Sequence, residues 1–154
     1  FGKSEEFENF LNHLEKSNLP LENFYSLAGN HEWSPYFTGD HSKYEEYLVS
    51  NLGTKDKKKY SLEVGNVSFL FMSDAQAGGG GEIDDNTFRW WEDIVRNQQD
   101  NINHITLTHH PLNATVKGST ASNSRAQSIK GVDLFKIGLL LALISFTIAY
   151  ETSS

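Results

Sequence analysis

Apolar residues Phe7, Phe10, Leu11 and Leu14 recur at helical spacing behind Ser4, with Glu5 and Glu6 in the first turn. The pattern predicts a helix over Glu5 to Lys16. Pro20 follows, then an apolar run, Phe24 to Ala28, that reads as a short strand ending in Gly29, Asn30 and His31. An aromatic-rich loop, Trp33 to Phe37, leads to a second predicted helix, Ser42 to Asn51, with Tyr44, Tyr47 and Leu48 on one face and Gly53 past its end. Tyr60 to Val64 and Val67 to Met72 are β-rich runs separated by Gly65-Asn66, a hairpin pattern. The second run is mostly apolar, as in a strand covered on both faces. Asp84, Asp85 or Asn86 can cap a helix through Arg96 that buries Phe88, Trp91, Ile94 and Val95. Ile102 to Leu107 reads as a further strand, ending in Thr108-His109-His110-Pro111.

The polar stretch Asn113 to Ser128 reads as a long loop. Beyond it the chain is apolar from Ile137 to Tyr150, interrupted by Gly138, Ser145 and Thr147. A membrane-spanning helix needs about 20 apolar residues, so a buried helix running into a strand is the favoured reading and a membrane anchor the less favoured one. The chain opens on Phe1 and runs directly into a helical pattern, as a fragment or a processed product would.

The chain has 154 residues, 38% of them hydrophobic, which fits one domain with a core. Twenty acidic residues against 13 basic ones give a formal charge of −7. The densest basic run, Lys55 to Lys59, is broken by Asp56, so no surface for nucleic-acid phosphates is evident. Cysteine is absent, which excludes disulfides and thiolate metal sites but says nothing of compartment; extracellular, periplasmic and cytoplasmic locations all stay open.

Strands alternate with helices, and polar groups cluster just after strand ends, where open α/β sheets place ligands. Two segments carry the candidate chemistry: Gly29-Asn30-His31-Glu32 and Thr108-His109-His110-Pro111, each directly after a strand pattern. Neutral imidazole and amide oxygen are suitable ligands for Mn, Fe or Zn when thiolates are lacking. Taken singly, the first also reads as a turn and the second as an ordinary loop. Together they point to a metal site.

The first block resembles the GNH(D/E) block of the calcineurin-like metallophosphoesterases, which include purple acid phosphatases and cyclic-nucleotide phosphodiesterases. Trp33-Ser34-Pro35 behind it, the hairpin Tyr60 to Phe69, Trp90-Trp91 on a helix, and His109-His110-Pro111-Leu112 are similar to further blocks of that family. The resemblance covers most of residues 1 to 112. It implies an α/β fold, a partial metallophosphoesterase-type layered sheet sandwich flanked by helices. It implies hydrolysis of phosphate mono- or diesters with two divalent or trivalent metal ions, Mn, Fe or Zn. By position it implies Asn30 and His109 as metal ligands and His31 near the scissile phosphate as general acid or electrostatic stabiliser. His110 and Glu32 would then be outer-shell or substrate-facing, Glu32 bracing its loop.

The family's Asp-x-His and Gly-Asp-x-x-Asp/Asn blocks do not precede Gly29, and its Gly-His-x-His block is absent. Gly39-Asp40 follows the first block and has Lys43 where Asp or Asn belongs. Residues 1–154 are therefore expected to be a single partial domain lacking its N-terminal and C-terminal metal-ligand blocks, inactive or nearly so alone. The alternative is a degenerate, non-catalytic binding or scaffold module; a membrane-tethered ectodomain is a third reading. Asp74 after its strand reads as a loop cap, and His13, His41 and His104 as surface or packing residues. Asn66-Val67-Ser68 and Asn113-Ala114-Thr115 match the glycosylation acceptor pattern, which arises often by chance.

Overall fold

The first helix forms over Ser4–Lys16 (α1), opened by Glu6, whose Oε2 accepts from the Lys3 backbone N–H at 3.1 Å. Asn18, at φ 57°, turns the chain out of the helix in the left-handed region that Asn tolerates. The computed structural model describes residues 3–33, 41–75, 81–97, 101–111 and 129–130. The predicted stretches 113–128 and 137–150 lie outside the described residues, and among those described no helix is long and apolar enough to cross a membrane.

A four-residue helix, α2, spans Asn30–Trp33, and α3 spans His41–Tyr44, widening into a π-helical turn over Glu45–Val49. The hairpin is β1 (Lys59–Val64) and β2 (Val67–Met72), with Gly65 at φ 60° in its turn. Then come β3 (Gly81–Glu82), α4 (Asp85–Asn97), β4 (Asn103–Thr108) and β5 (Ile129–Lys130). The larger sheet runs β1-β2-β4: β1 pairs antiparallel with β2, and β2 parallel with β4 through α4. A second, two-stranded sheet pairs β3 with β5 in parallel. The outcome is the expected mixed α/β fold, a three-stranded sheet flanked by helices.

Alternation along the strands divides the core in two. Leu70 and Met72 point at α4 and pack with Ile83 and Trp91, joined by Phe88, Trp90, Ile94 and Val95. Asp84, one of the three caps the sequence offers, starts that helix by accepting from the Thr87 N–H at 2.7 Å. On the opposite face the paired residues Tyr60 and Phe71 stack at 4.4 Å. Phe7, Ala28, Tyr44, Leu48 and Leu52 form the second cluster, between α1 and α3.

Two expectations change. Phe24 to Ala28 is extended but is not a strand. Its backbone bonds are made elsewhere: Gly53 N–H donates to the Phe24 carbonyl, Thr54 Oγ1 accepts from Ser26 N–H, and Tyr60 and Ser73 hydroxyls donate to the Ser26 and Ala28 carbonyls. With those groups satisfied, no ladder partner is required. The helix expected over Ser42 to Asn51 begins at His41 and departs from α geometry at Glu45. There Ser50 N–H and Oγ both bond the Glu45 carbonyl, and Asn51 Nδ2 bonds the Tyr47 carbonyl at 2.8 Å, so side chains compete for the helical acceptors.

Gly53 is required where it lies: an added Cβ would meet the Glu22 carbonyl and come within 2.7 Å of Tyr25 Cε1. Beside it, Ser26 Oγ, Thr54 Oγ1 and the Tyr44 hydroxyl form a hydroxyl cluster at 2.8 Å spacings. Burial pushes the Tyr44 phenol up to about 12, with the Glu32 and Asp56 charges acting in the same direction and the Ser26 bond against it. The folded chain thus favours the neutral phenol. Stability linked to Tyr44 is complete below pH 10 and is lost as pH rises toward 12. Urea midpoints measured across this range should fall by an amount equivalent to about 2–3 kcal/mol. In Tyr44→Phe the neutral-pH midpoint should drop by about 1 kcal/mol and the alkaline loss should shrink.

Candidate active site

Parallel pairing puts the C-terminal ends of β2 and β4 side by side, because Met72 stands opposite Thr108. The residues that follow, Ser73-Asp74 and His109-His110, meet there. Asp74 is 1% exposed. Its Oδ1 accepts from the backbone N–H of His109 at 3.0 Å and of His110 at 3.2 Å, and its Oδ2 lies 3.0 Å from His110 Nδ1. Thr108 closes the same turn by donating its hydroxyl to the His110 carbonyl at 2.9 Å. Three partners on one buried carboxylate fix the direction in which the histidine pair leaves the strand.

The extended segment 24–29 reaches this edge through Ser73, whose Oγ donates to the Ala28 carbonyl at 2.8 Å. Gly29 follows at once. Its N–H donates to Glu32 Oε2 at 2.8 Å, which folds α2 back over the glycine. The His109 ring rests against Gly29: a Cβ built there would stand 2.7 Å from Cε1 and 2.9 Å from Nδ1. Only glycine admits that approach. The rings of His109 and His110 meet edge to face at 4.5 Å.

His109 is exposed, His110 is 5% exposed, and His31 and Glu32 are half-buried. Partial burial depresses the His109 pKa, and the neighbouring His110 and His31 add to this against the opposing Asp74 and Glu32 charges. The neutral ring that results is the form of imidazole that ligates metal.

The two sequence blocks therefore converge, with Gly29, His31, Glu32, His109 and His110 at one edge. Asn30 begins α2, but its side chain lies outside those described. His104 is elsewhere on β4, opposite Ser68. The residue that sequence reasoning underweighted is Asp74. Its position after an apolar strand was visible, but the partners of its carboxylate lie 35 and 36 residues away. As a metal site the donor set fits in part. His109 offers a suitable nitrogen, but catalytic sites generally use about three protein ligands, and no group of three His, Cys, Asp or Glu that could hold an ion occurs among the described residues.

The sequence pattern of the calcineurin-like phosphoesterases matches residues 2–137. The chain belongs to this family. No curated protein matches it. As a calcineurin-like phosphoesterase it is a phosphoesterase-type hydrolase by kind, from a family that generally binds divalent metals and acts on phosphate esters.

Removing the Asp74 carboxylate leaves the part-buried His109 N–H and the buried His110 N–H of this phosphoesterase without their acceptor. Asp74→Ala should lower unfolding stability by about 3 kcal/mol or more. Gly29→Ala should cost about 1–3 kcal/mol through overpacking and displace the His109 ring. Chemical denaturation reads the first effect, and the His109 ring resonances in an NMR spectrum read the second.

Proposed function

We propose that this chain carries part of the active site of a metal-dependent hydrolase of phosphate mono- or diesters, of the phosphatase or phosphodiesterase kind. The observation that supports this most is the seating of the His109 ring on Gly29, which joins the two blocks the family resemblance singles out. In this reading Asn30, through its side-chain oxygen, and His109 would be metal ligands for a pair of ions, Mn, Fe or Zn. Bound ions would supply positive charge for the phosphate and a hydroxide nucleophile at neutral pH.

The chain's own residues act around that charge. His109 presents a neutral nitrogen from a turn that Asp74 holds rigid. Glu32 fixes the Gly29 N–H and so sets the start of α2, which carries Asn30 and His31. His31 stands near the leaving oxygen, where it donates a hydrogen bond or a proton as negative charge develops. His110 has an outer-shell role, because its ring is buried and its Nδ1 is engaged by Asp74.

The blocks absent from this sequence leave each ion one or two ligands from it, so the chain alone is inactive or nearly so. The scarcity of donors among the described residues also favours a second reading, a non-catalytic binding or scaffold module of the same fold.

Calorimetric titration with Mn²⁺ and hydrolysis of bis-p-nitrophenyl phosphate test the proposal. Weak Mn²⁺ binding that His109→Ala lowers by about tenfold or more, with at most slow turnover, supports the catalytic reading. Mn²⁺ binding insensitive to His109→Ala removes it. Brisk metal-dependent turnover would refute the expected inactivity of the chain alone.

A further inference from the structure

The turn of the β1-β2 hairpin carries one of the chain's Asn-x-Ser/Thr triplets, Asn66-Val67-Ser68. Val64 pairs with Val67, so Gly65 and Asn66 are the two residues of the loop. Gly65, the first of them, supplies the positive φ that such a turn requires. Asn66 does not share it, so the turn makes no demand for asparagine at the second position. The fold uses only the backbone of Asn66: its carbonyl accepts from the Asn103 N–H at 2.8 Å, which ties the turn to the start of β4. The side chain is exposed and makes no hydrogen bond among the described residues. Space around the turn is open, since a Cβ built on Gly65 would have no atom within 4 Å. Val64, 56% exposed, leaves apolar surface next to the Asn66 amide.

Ser68 is the opposite case. It is 0% exposed, and its Oγ has no hydrogen-bond partner among the described residues. A buried hydroxyl without a partner opposes folding, and alanine would occupy the place without that penalty. The folded chain therefore has no use for this oxygen. In the extended chain the hydroxyl is free, and there it completes the acceptor triplet two positions after the asparagine. Asn66 stays outside when the hairpin closes, while Ser68 is sealed in. That is the arrangement expected of a triplet that is read before folding and displays its product afterwards.

We propose that Asn66 carries an N-linked glycan, added while β1 and β2 are still unpaired. The donor class is an oligosaccharide on a lipid diphosphate. Asn66 Nδ2 forms a bond to the anomeric carbon of the sugar, the bond from that carbon to the diphosphate oxygen breaks, and one amide proton leaves with the lipid diphosphate. The glycan then stands at the N-terminal end of β2, about 20 Å along the strand from its Asp74 end, and leaves the histidine edge clear. Its first sugar covers Val64. The assignment commits the chain to a compartment supplied with such donors, and it depends on neither metal nor phosphoester chemistry.

Tryptic mapping of the full chain isolated from the cells that make it tests this without any activity readout. The triplet lies on the peptide Tyr60 to Arg89, and Asn113-Ala114-Thr115 on the peptide Asn97 to Lys117, so the two report separately. Peptide-N-glycosidase in heavy-oxygen water should convert Asn66 to a labelled aspartate in most molecules. Asn66→Gln and Ser68→Ala, each expressed as the full chain in the same cells, should both lose the glycan from the first peptide. Asn66 is exposed, so its replacement retains the fold. In unglycosylated chain made in bacteria, Ser68→Ala should leave the urea midpoint unchanged or raise it. An unmodified Asn66 in the protein from its own cells overturns the proposal. So does a Ser68→Ala midpoint clearly below the parent's, which would give the hydroxyl a use in the fold. Each of these outcomes leaves the phosphoesterase reading where it stood.

Discussion

A single carboxylate, that of Asp74, organises the candidate site. It is almost fully buried and is occupied by two backbone N–H groups and an imidazole nitrogen from the end of the neighbouring strand. A buried carboxylate is costly unless its acceptor capacity is used, and here three donors use it. The cost of leaving it unpaired is what holds the His109-His110 turn to β2. Without that tie the two parallel strands could still pair, but their ends would be free to splay, and the His109 ring would lose its seat on Gly29.

The extended segment before Gly29 is fixed by a different device. Strands are normally placed by a ladder; this segment is placed by hydroxyl groups. Thr54, Tyr60 and Ser73 each hold one backbone group, and the Gly53 N–H holds another. The second core of Phe7, Ala28, Tyr44, Leu48 and Leu52 closes over it. Apolar burial gives the segment its location, and the hydroxyls give it its register toward the site.

Much of this was legible in the sequence, and the failures have physical causes. The hairpin, α1, α4 and its Asp84 cap are set by short-range patterns, and each formed within a residue or two of its expected place. The run Phe24 to Ala28 has the composition of a strand, but composition cannot say whether backbone groups will meet a ladder or a set of side-chain hydroxyls. The π-helical turn was invisible for a related reason: Ser50 and Asn51 compete for helix carbonyls only once the chain has turned there. The meeting of Gly29-Asn30-His31-Glu32 with His109-His110 was readable because both blocks follow apolar runs. The Asp74 bonds were not, since nothing local specifies a partner so distant along the chain.

The same distance has a kinetic consequence. Asp74 lies 36 residues from His110, with α4 and all of β4 between them. Closing that loop carries an entropic penalty, which the packing of α4 and the pairing of β4 with β2 offset. During synthesis, a nascent polypeptide that has emerged only as far as Met72 can already make its hairpin. It can bury Asp74 without penalty only once the histidines have followed.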